Sequence, residues 1–172
     1  MRPRNKLVLL AAVCAAPFLL GWLAYRFDWA PGGARNYGEL IEPRPLSGAP
    51  LEALRGRWVL VAFDAARCEA YCERKLYYMR QVRRAQGKHM QRVERLWLLT
   101  DAARPRPELL AAMEGTRVAS SGALAERFPG TPQDHIYLVD PLGNLMLRFP
   151  RDPDPSRMIK DLQRLLRVSS FG

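Results

Sequence analysis

The sequence predicts an α/β domain, a central mixed sheet flanked by helices, carried behind an N-terminal transmembrane helix. Three observations predict it. Apolar runs of strand length alternate with stretches of helical periodicity. Two cysteines, Cys68 and Cys72, follow the first of those runs, where a helical pattern takes over. Leu7 to Tyr25 runs nineteen residues without a charge, about the length that spans a hydrocarbon core. The chain has 172 residues, 48% hydrophobic and 26% charged, enough for one domain with a real core beyond that run.

The N-terminal run is preceded by Arg2, Arg4 and Lys6 and by no acid. Basic flanks stay in the cytoplasm, so the rest of the chain is expected in a periplasm-like compartment, at a bacterial inner membrane. Pro17 and Gly21 are tolerated in membrane helices. Trp22, Tyr25 and Trp29 cluster at the far end as interfacial aromatics do. A cleaved signal peptide is the rival reading. It wants small residues after the apolar core, and here the run continues into bulky Trp22, Leu23, Tyr25 and Phe27. Residues 1–29 are therefore expected as a cytoplasmic tip and a retained single span.

Residues 30–50 read as a linker or arm, broken by Pro31-Gly32-Gly33, Pro43, Pro45, Gly48 and Pro50. Within it Tyr37–Ile41 is expected to dock irregularly, and Leu46–Leu51 to form a small hairpin. Residues 51–172 make the domain. Its first strand is Trp58–Phe63. A helix follows from Cys68 to about Gln86, stopped by Gly87. Glu94–Thr100 is a second strand, and Pro105 and Pro107 precede a short helix over 108–113. Leu124–Phe128 suggests a helical turn. His135–Asp140 is a third strand, and Pro141–Asn144 turns it into an antiparallel return over Leu145–Phe149. The closing helix, Pro155–Val168, carries Met158, Ile159, Leu162, Leu165 and Leu166 at helical spacing, with Asp154 or Ser156 near its start as a cap.

The net charge is +10. Much of it lies in one segment, Arg74, Lys75, Arg80, Arg83, Arg84, Lys88, Arg92 and Arg95. Nucleic acid is not expected as a partner for a domain outside the membrane. The segment reads as a solvated helix face, or as a surface for anionic headgroups or an acidic membrane partner. No Ser-His-Asp order, glycine-rich phosphate loop or paired-carboxylate site stands out, so hydrolase and nucleotide-binding readings have no support.

The chemistry rests on the cysteines. Cys14 falls within the apolar run and reads as packing. At about 100° per residue Cys68 and Cys72 lie about 40° apart on a helix, sharing a stripe with Leu76, Met79 and Val82. Both thiols thus face the sheet. A helix N-terminus favours the thiolate; Glu69 and Glu73 oppose it, and Arg67 offsets them in part. As a redox pair, Cys68 would attack and Cys72 resolve. Two soft donors one turn apart also suit copper(I). Two buried thiols that only pack are the bland alternative, and a disulfide across this spacing requires a distorted helix start. His135 opens a strand, either as a packing residue or as a ligand. His89 is assigned no role.

From Trp58 onward, the element order together with the dithiol position resembles the thioredoxin superfamily, and within it the SCO/SenC copper-chaperone family. The resemblance is carried by Arg57-Trp-Val-Leu-Val-Ala-Phe63, by the C-x-x-x-C spacing of Cys68 and Cys72, and by Tyr137-Leu-Val-Asp-Pro-Leu-Gly143 after a histidine. It implies a membrane-anchored, thioredoxin-like assembly protein whose partner is a cytochrome c oxidase subunit or another assembly factor. Such a protein binds one copper ion through two cysteines and a histidine, or reduces the cysteines of the oxidase's dinuclear copper site. Carried over, the ligands are Cys68, Cys72 and His135. The chain departs from that family in having Glu69 and Glu73 where proline is usual, and in a shorter step from His135 to Tyr137. Gly130-Thr-Pro132 is similar to the cis-proline loop of thioredoxin-like reductases. A general periplasmic thiol–disulfide oxidoreductase and a noncatalytic scaffold of the same fold are the alternatives.

Overall fold

The computed structural model describes residues 3–27 and 36–169. Trp29 and the Pro31-Gly32-Gly33 breaker lie outside the described residues, as do Arg2 at the basic tip and the side chains of Arg4 and Tyr25. The chain forms two compact units, residues 1–35 and 36–172.

Among its described residues the first unit is one helix, α1 (Pro3–Arg26), with Pro17 inside it. Its apolar side chains Leu9, Val13, Phe18, Leu20 and Trp22 are exposed. Cys14 is a free, exposed thiol. Among the described residues, no helix is long and apolar enough to cross a membrane.

The second unit is a six-stranded mixed sheet with helices on its faces. Its strands are β1 (Glu39–Pro45), β2 (Trp58–Asp64), β3 (Val93–Leu99), β4 (Arg117–Ser120), β5 (Ile136–Val139) and β6 (Asn144–Arg148). Their spatial order is β1-β6-β5-β2-β3-β4. β2 pairs with β3 in parallel and β3 with β4 in parallel, while β5 lies antiparallel to β2 and to β6. The helices are α2 (Ala49–Glu52), α3 (Ala70–Arg84), α4 (Pro107–Ala112) and α5 (Pro155–Val168).

β2 is buried on both faces, which is why it reads as a continuous apolar run. Its alternate residues serve two cores. Leu60 and Ala62 meet Leu76 and Met79 of α3, and Met158 and Leu162 of α5. Val61 and Phe63 meet Leu98, Phe128, Tyr137 and Leu145 on the other face. Each fully buried side chain of this kind contributes about 1.5–3 kcal/mol, so the end of β2 is a firm platform. Asp154 caps α5, its carboxylate accepting from the Ser156 N–H at 2.8 Å.

Four expectations are corrected. The stretch read as an arm carries β1, an edge strand antiparallel to β6. Pro43 and Pro45 do not prevent it, because an edge strand leaves one row of N–H groups unpaired, and the register slips between Leu40 and Arg44. Leu46–Leu51 is not a hairpin but leads into α2. A short strand, β4, was not expected, since its four residues are mostly exposed and carry no alternating apolar signal. The basic segment is not uniformly solvated: Lys75 and Arg95 are 1% and 2% exposed.

Candidate dithiol site

β2 delivers Asp64 to the edge of the sheet, and the chain then turns before α3. The Cys68 N–H donates to the Ala65 carbonyl at 3.0 Å, and the Ala66 N–H donates to Asp101 Oδ1 at 3.0 Å. Cys68 closes this turn with φ +46°, a left-handed conformation that L side chains rarely take. This is the physical reason that the helix starts at Ala70 and not at Cys68. Cys68 stands just ahead of the helix and Cys72 sits in its first turn. They form a disulfide, with Cα atoms 5.1 Å apart. The expected condition for such a bond, a distorted helix start, is met by the backbone of Cys68.

Both cysteines are 2% exposed. Two openings reach them. A cavity of about 290 Å³ is lined by Asp64, Cys68, Tyr71, Cys72, Gln133 and Asp134. On its other side Cys68 borders a cleft shared with Arg67, Glu69, Glu73 and Arg106. Of the two cysteines Cys68 alone lines both, with Arg67 and Glu69, which makes it the more approachable one. No side chain caps α3, so the amides of its first turn aim positive charge at this end.

Three neighbours of the pair carry no sequence signal of their role. Lys75 is buried against the site, and its ammonium donates to the Phe63 carbonyl at 3.0 Å and to the Gln133 carbonyl, and pairs with Asp64 Oδ2 at 2.9 Å. Burial pulls its pKa below the usual lysine value, against the opposing pull of Asp64. Lys75 stands three residues after Cys72, about 60° from it around the helix; that angle, not the residue type, was the available clue. Tyr71 donates its hydroxyl to the Asp134 carbonyl at 2.8 Å, and burial raises its pKa. Arg106 donates to the Cys68 carbonyl at 3.3 Å and pairs with Glu73 at 2.5 Å, holding the Cys68 turn from outside.

Lys75 and Tyr71 together fasten the 131–135 loop beside the disulfide. That loop is the one likened to a cis-proline loop. It does reach the dithiol cavity, but through Gln133 and Asp134, and no cis peptide bond occurs among the described residues.

His135 is placed elsewhere. Its Nδ1 lies 2.8 Å from the Phe149 carbonyl, and its ring stands 6.0 Å from that of Tyr137. It does not line either opening at the cysteines. Among the described residues, no group of three His, Cys, Asp or Glu side chains is arranged to hold a metal ion. The structure thus brings Cys68 and Cys72 together and leaves His135 apart from them. The acids at the cavity are hard donors, poorly matched to copper(I).

Residues 58–169 match the family model described as transmembrane-like, thioredoxin-like, C-terminal domain. No curated protein matches the sequence. Among solved structures, copper-bound ScoI of Bradyrhizobium japonicum is similar at 21% identity and TM-score 0.53, over 73% of this chain and 99% of that one. Copper-bound yeast Sco1 is similar at 14% identity and TM-score 0.58, over 80% and 96%. BsSco, described with a disulfide switch and as a member of the Sco family of cytochrome c oxidase assembly proteins, is similar at 16% identity and TM-score 0.50, over 78% and 98%. These likenesses establish a shared thioredoxin-like fold.

Proposed function

The chain belongs to the transmembrane-like, thioredoxin-like C-terminal domain family, and from that premise we propose that it is a thiol–disulfide-active assembly factor for cytochrome c oxidase. The observation that carries the reading is the Cys68–Cys72 disulfide at the tip of α3, bordered by two openings. Residues 1–29 would hold it in a bacterial inner membrane, with the N-terminus cytoplasmic and the domain periplasmic. The nineteen-residue uncharged run and the exposed apolar side chains of α1 support that anchor. The partner class, a cytochrome c oxidase subunit or another assembly factor, is supported by what the Sco-fold neighbours are described as doing.

In the reduced protein the Cys68 thiolate attacks one sulfur of a partner disulfide. A mixed disulfide forms, and the partner's other sulfur leaves as a thiolate. Cys72 then attacks Cys68, which releases the second partner thiol and restores the Cys68–Cys72 bond. Two electrons pass to the partner, and an external dithiol donor must return them. Asp64 lines the same cavity as Cys72 and places a carboxylate at the dithiol. Its pairing with Lys75 holds the carboxylate in place.

Copper is the second reading, favoured by the copper-bound state of two neighbours of this fold. The reduced pair would supply two thiolates. His135 fits as a third ligand only if it releases the Phe149 carbonyl and moves, so thiol exchange is preferred.

The test is a trap. Cys72→Ser leaves Cys68 without a resolving thiol, and the full chain is expressed in its membrane and alkylated before extraction. A Cys68-dependent disulfide adduct with a membrane protein that carries paired cysteines is expected. Absence of any adduct, with one tight copper(I) bound by the reduced wild type and lost in His135→Ala, would overturn it in favour of copper carriage.

A further inference from the structure

A second cavity, of about 200 Å³, opens beside the C-terminal half of α3, away from the cysteines. Arg80, Arg83, Arg84 and Arg95 line it, with Glu114 as the acid at its wall. Arg95 projects from the middle of β3 and is 2% exposed. Its Nη2 donates to the Glu114 carbonyl at 2.6 Å, while Nε and Nη1 are buried with no hydrogen-bond partner. Arg80 donates Nη1 to the Ala112 carbonyl at 2.6 Å, and its Nε is likewise buried and unpartnered. Arg83 donates to the Val93 carbonyl at 2.6 Å. The backbone thus holds these guanidiniums in place without neutralising any of them. Among the described residues none of the four forms an ion pair, and nearby Glu94 is taken by Arg57 at 2.8 Å. Gly115, at φ +76°, lets the loop after α4 close over Arg95; a side chain there would press on Nη2.

Four like charges around a small opening, with buried donors left open, is a costly arrangement for an empty site. Burial, then repulsion from Arg83 and Arg80, pulls the pKa of Arg95 down to about 10. An anion that accepts from several directions removes both costs. A single carboxylate carries one charge in one plane. A phosphate group disposes its oxygens tetrahedrally; free phosphate carries nearly two charges, and the diester of a phospholipid headgroup carries one.

We propose that Arg80, Arg83, Arg84 and Arg95 form a binding site for a phosphate group, either free or on a phospholipid headgroup. The site is independent of the dithiol. It also gives a ligand to a basic segment that the thiol chemistry leaves unused.

The full chain, in neutral detergent at constant ionic strength, is titrated calorimetrically with inorganic phosphate and, in parallel, with micelles doped with phosphatidylglycerol or phosphatidylcholine. Saturable binding at one equivalent is expected. Arg80→Gln and Arg84→Gln should each weaken it about tenfold, the scale of a lost charge-assisted contact. These two positions are half-buried and exposed, so the variants keep the fold even if Arg95→Gln does not. Saturation by inorganic phosphate assigns a free phosphate. Saturation only by phosphatidylglycerol micelles assigns the headgroup. Binding to neither, or binding that both variants leave intact, overturns the site.

Discussion

Reducing Cys68–Cys72 separates a working dithiol from a structural staple, and its cost follows from the structure. The bond spans a sequence separation of only 4. Closing so short a loop removes little freedom from the unfolded chain, so losing the bond costs about 2 kcal/mol on the chain-entropy estimate. The left-handed backbone of Cys68, at φ +46°, belongs to the turn anchored on Ala65 and Asp101 and survives the opening. The loss is therefore about 2 kcal/mol, a fall in Tm of roughly 5–10 °C for a domain of this size. The core around Val61, Phe63 and Tyr137 contains neither cysteine, and the core that does contain them is built mostly of other side chains, Leu60, Met79 and Leu162 among them. The assay is thermal unfolding of the full chain by circular dichroism, with and without a phosphine reductant. A cooperative transition in both forms, slightly lower when reduced, is expected. Collapse of the fold on reduction would refute the reasoning, since a protein that unfolds whenever its thiols are free cannot exchange them.

Other outcomes follow from the same geometry. Tyr137 is fully buried, its hydroxyl donating to the Pro129 carbonyl, and burial raises its pKa to about 12. The folded pKa lies above the unfolded one, so the stabilisation is complete below pH 10 and is lost as pH rises toward 12. Denaturant titrations of wild type and Tyr137→Phe should show a stability difference that is flat to about pH 10 and then falls by about 3 kcal/mol, two pKa units; a difference unchanged at pH 12 would contradict this. Asp161 is buried and accepts the N–H groups of Tyr37 and Gly38 at 2.7 and 2.9 Å. Asp161→Ala should therefore cost about 3 kcal/mol in urea unfolding, and a cost below 1 would mean that the docked segment contributes little. Arg106→Gln removes a cation beside Cys68. Alkylation of reduced Cys68 should shift its midpoint to higher pH while stability changes by less than about 1 kcal/mol; an unmoved midpoint would leave Arg106 with no role in reactivity.

The two cores and the dithiol junction were legible in the sequence because each rests on local pattern. β2 and β3 are continuous apolar runs, and α5 combines helical spacing with its Asp154 cap. Cys72, Leu76, Met79 and Val82 share a stripe that the structure buries. What was not legible depends on long-range contacts. β1 exists because β6 offers it an edge, and nothing in its proline-broken sequence announces that. Lys75 is inward because Asp64 and two carbonyls await it. Cys68 lies outside the helix because a turn anchored on Ala65 and Asp101 precedes it. His135 stands one residue ahead of β5 and does not open it as expected, and its side chain turns to Phe149 and not to the sulfurs, a direction that spacing alone does not encode.

The most direct measurement is an equilibrium titration of the full chain across dithiothreitol and glutathione redox buffers, with free thiols counted by alkylation and mass spectrometry. The account predicts one reversible two-electron transition confined to Cys68 and Cys72, with Cys14 a free thiol throughout. A pair that stays oxidised across the whole range, or that fails to close again after reduction, would contradict it.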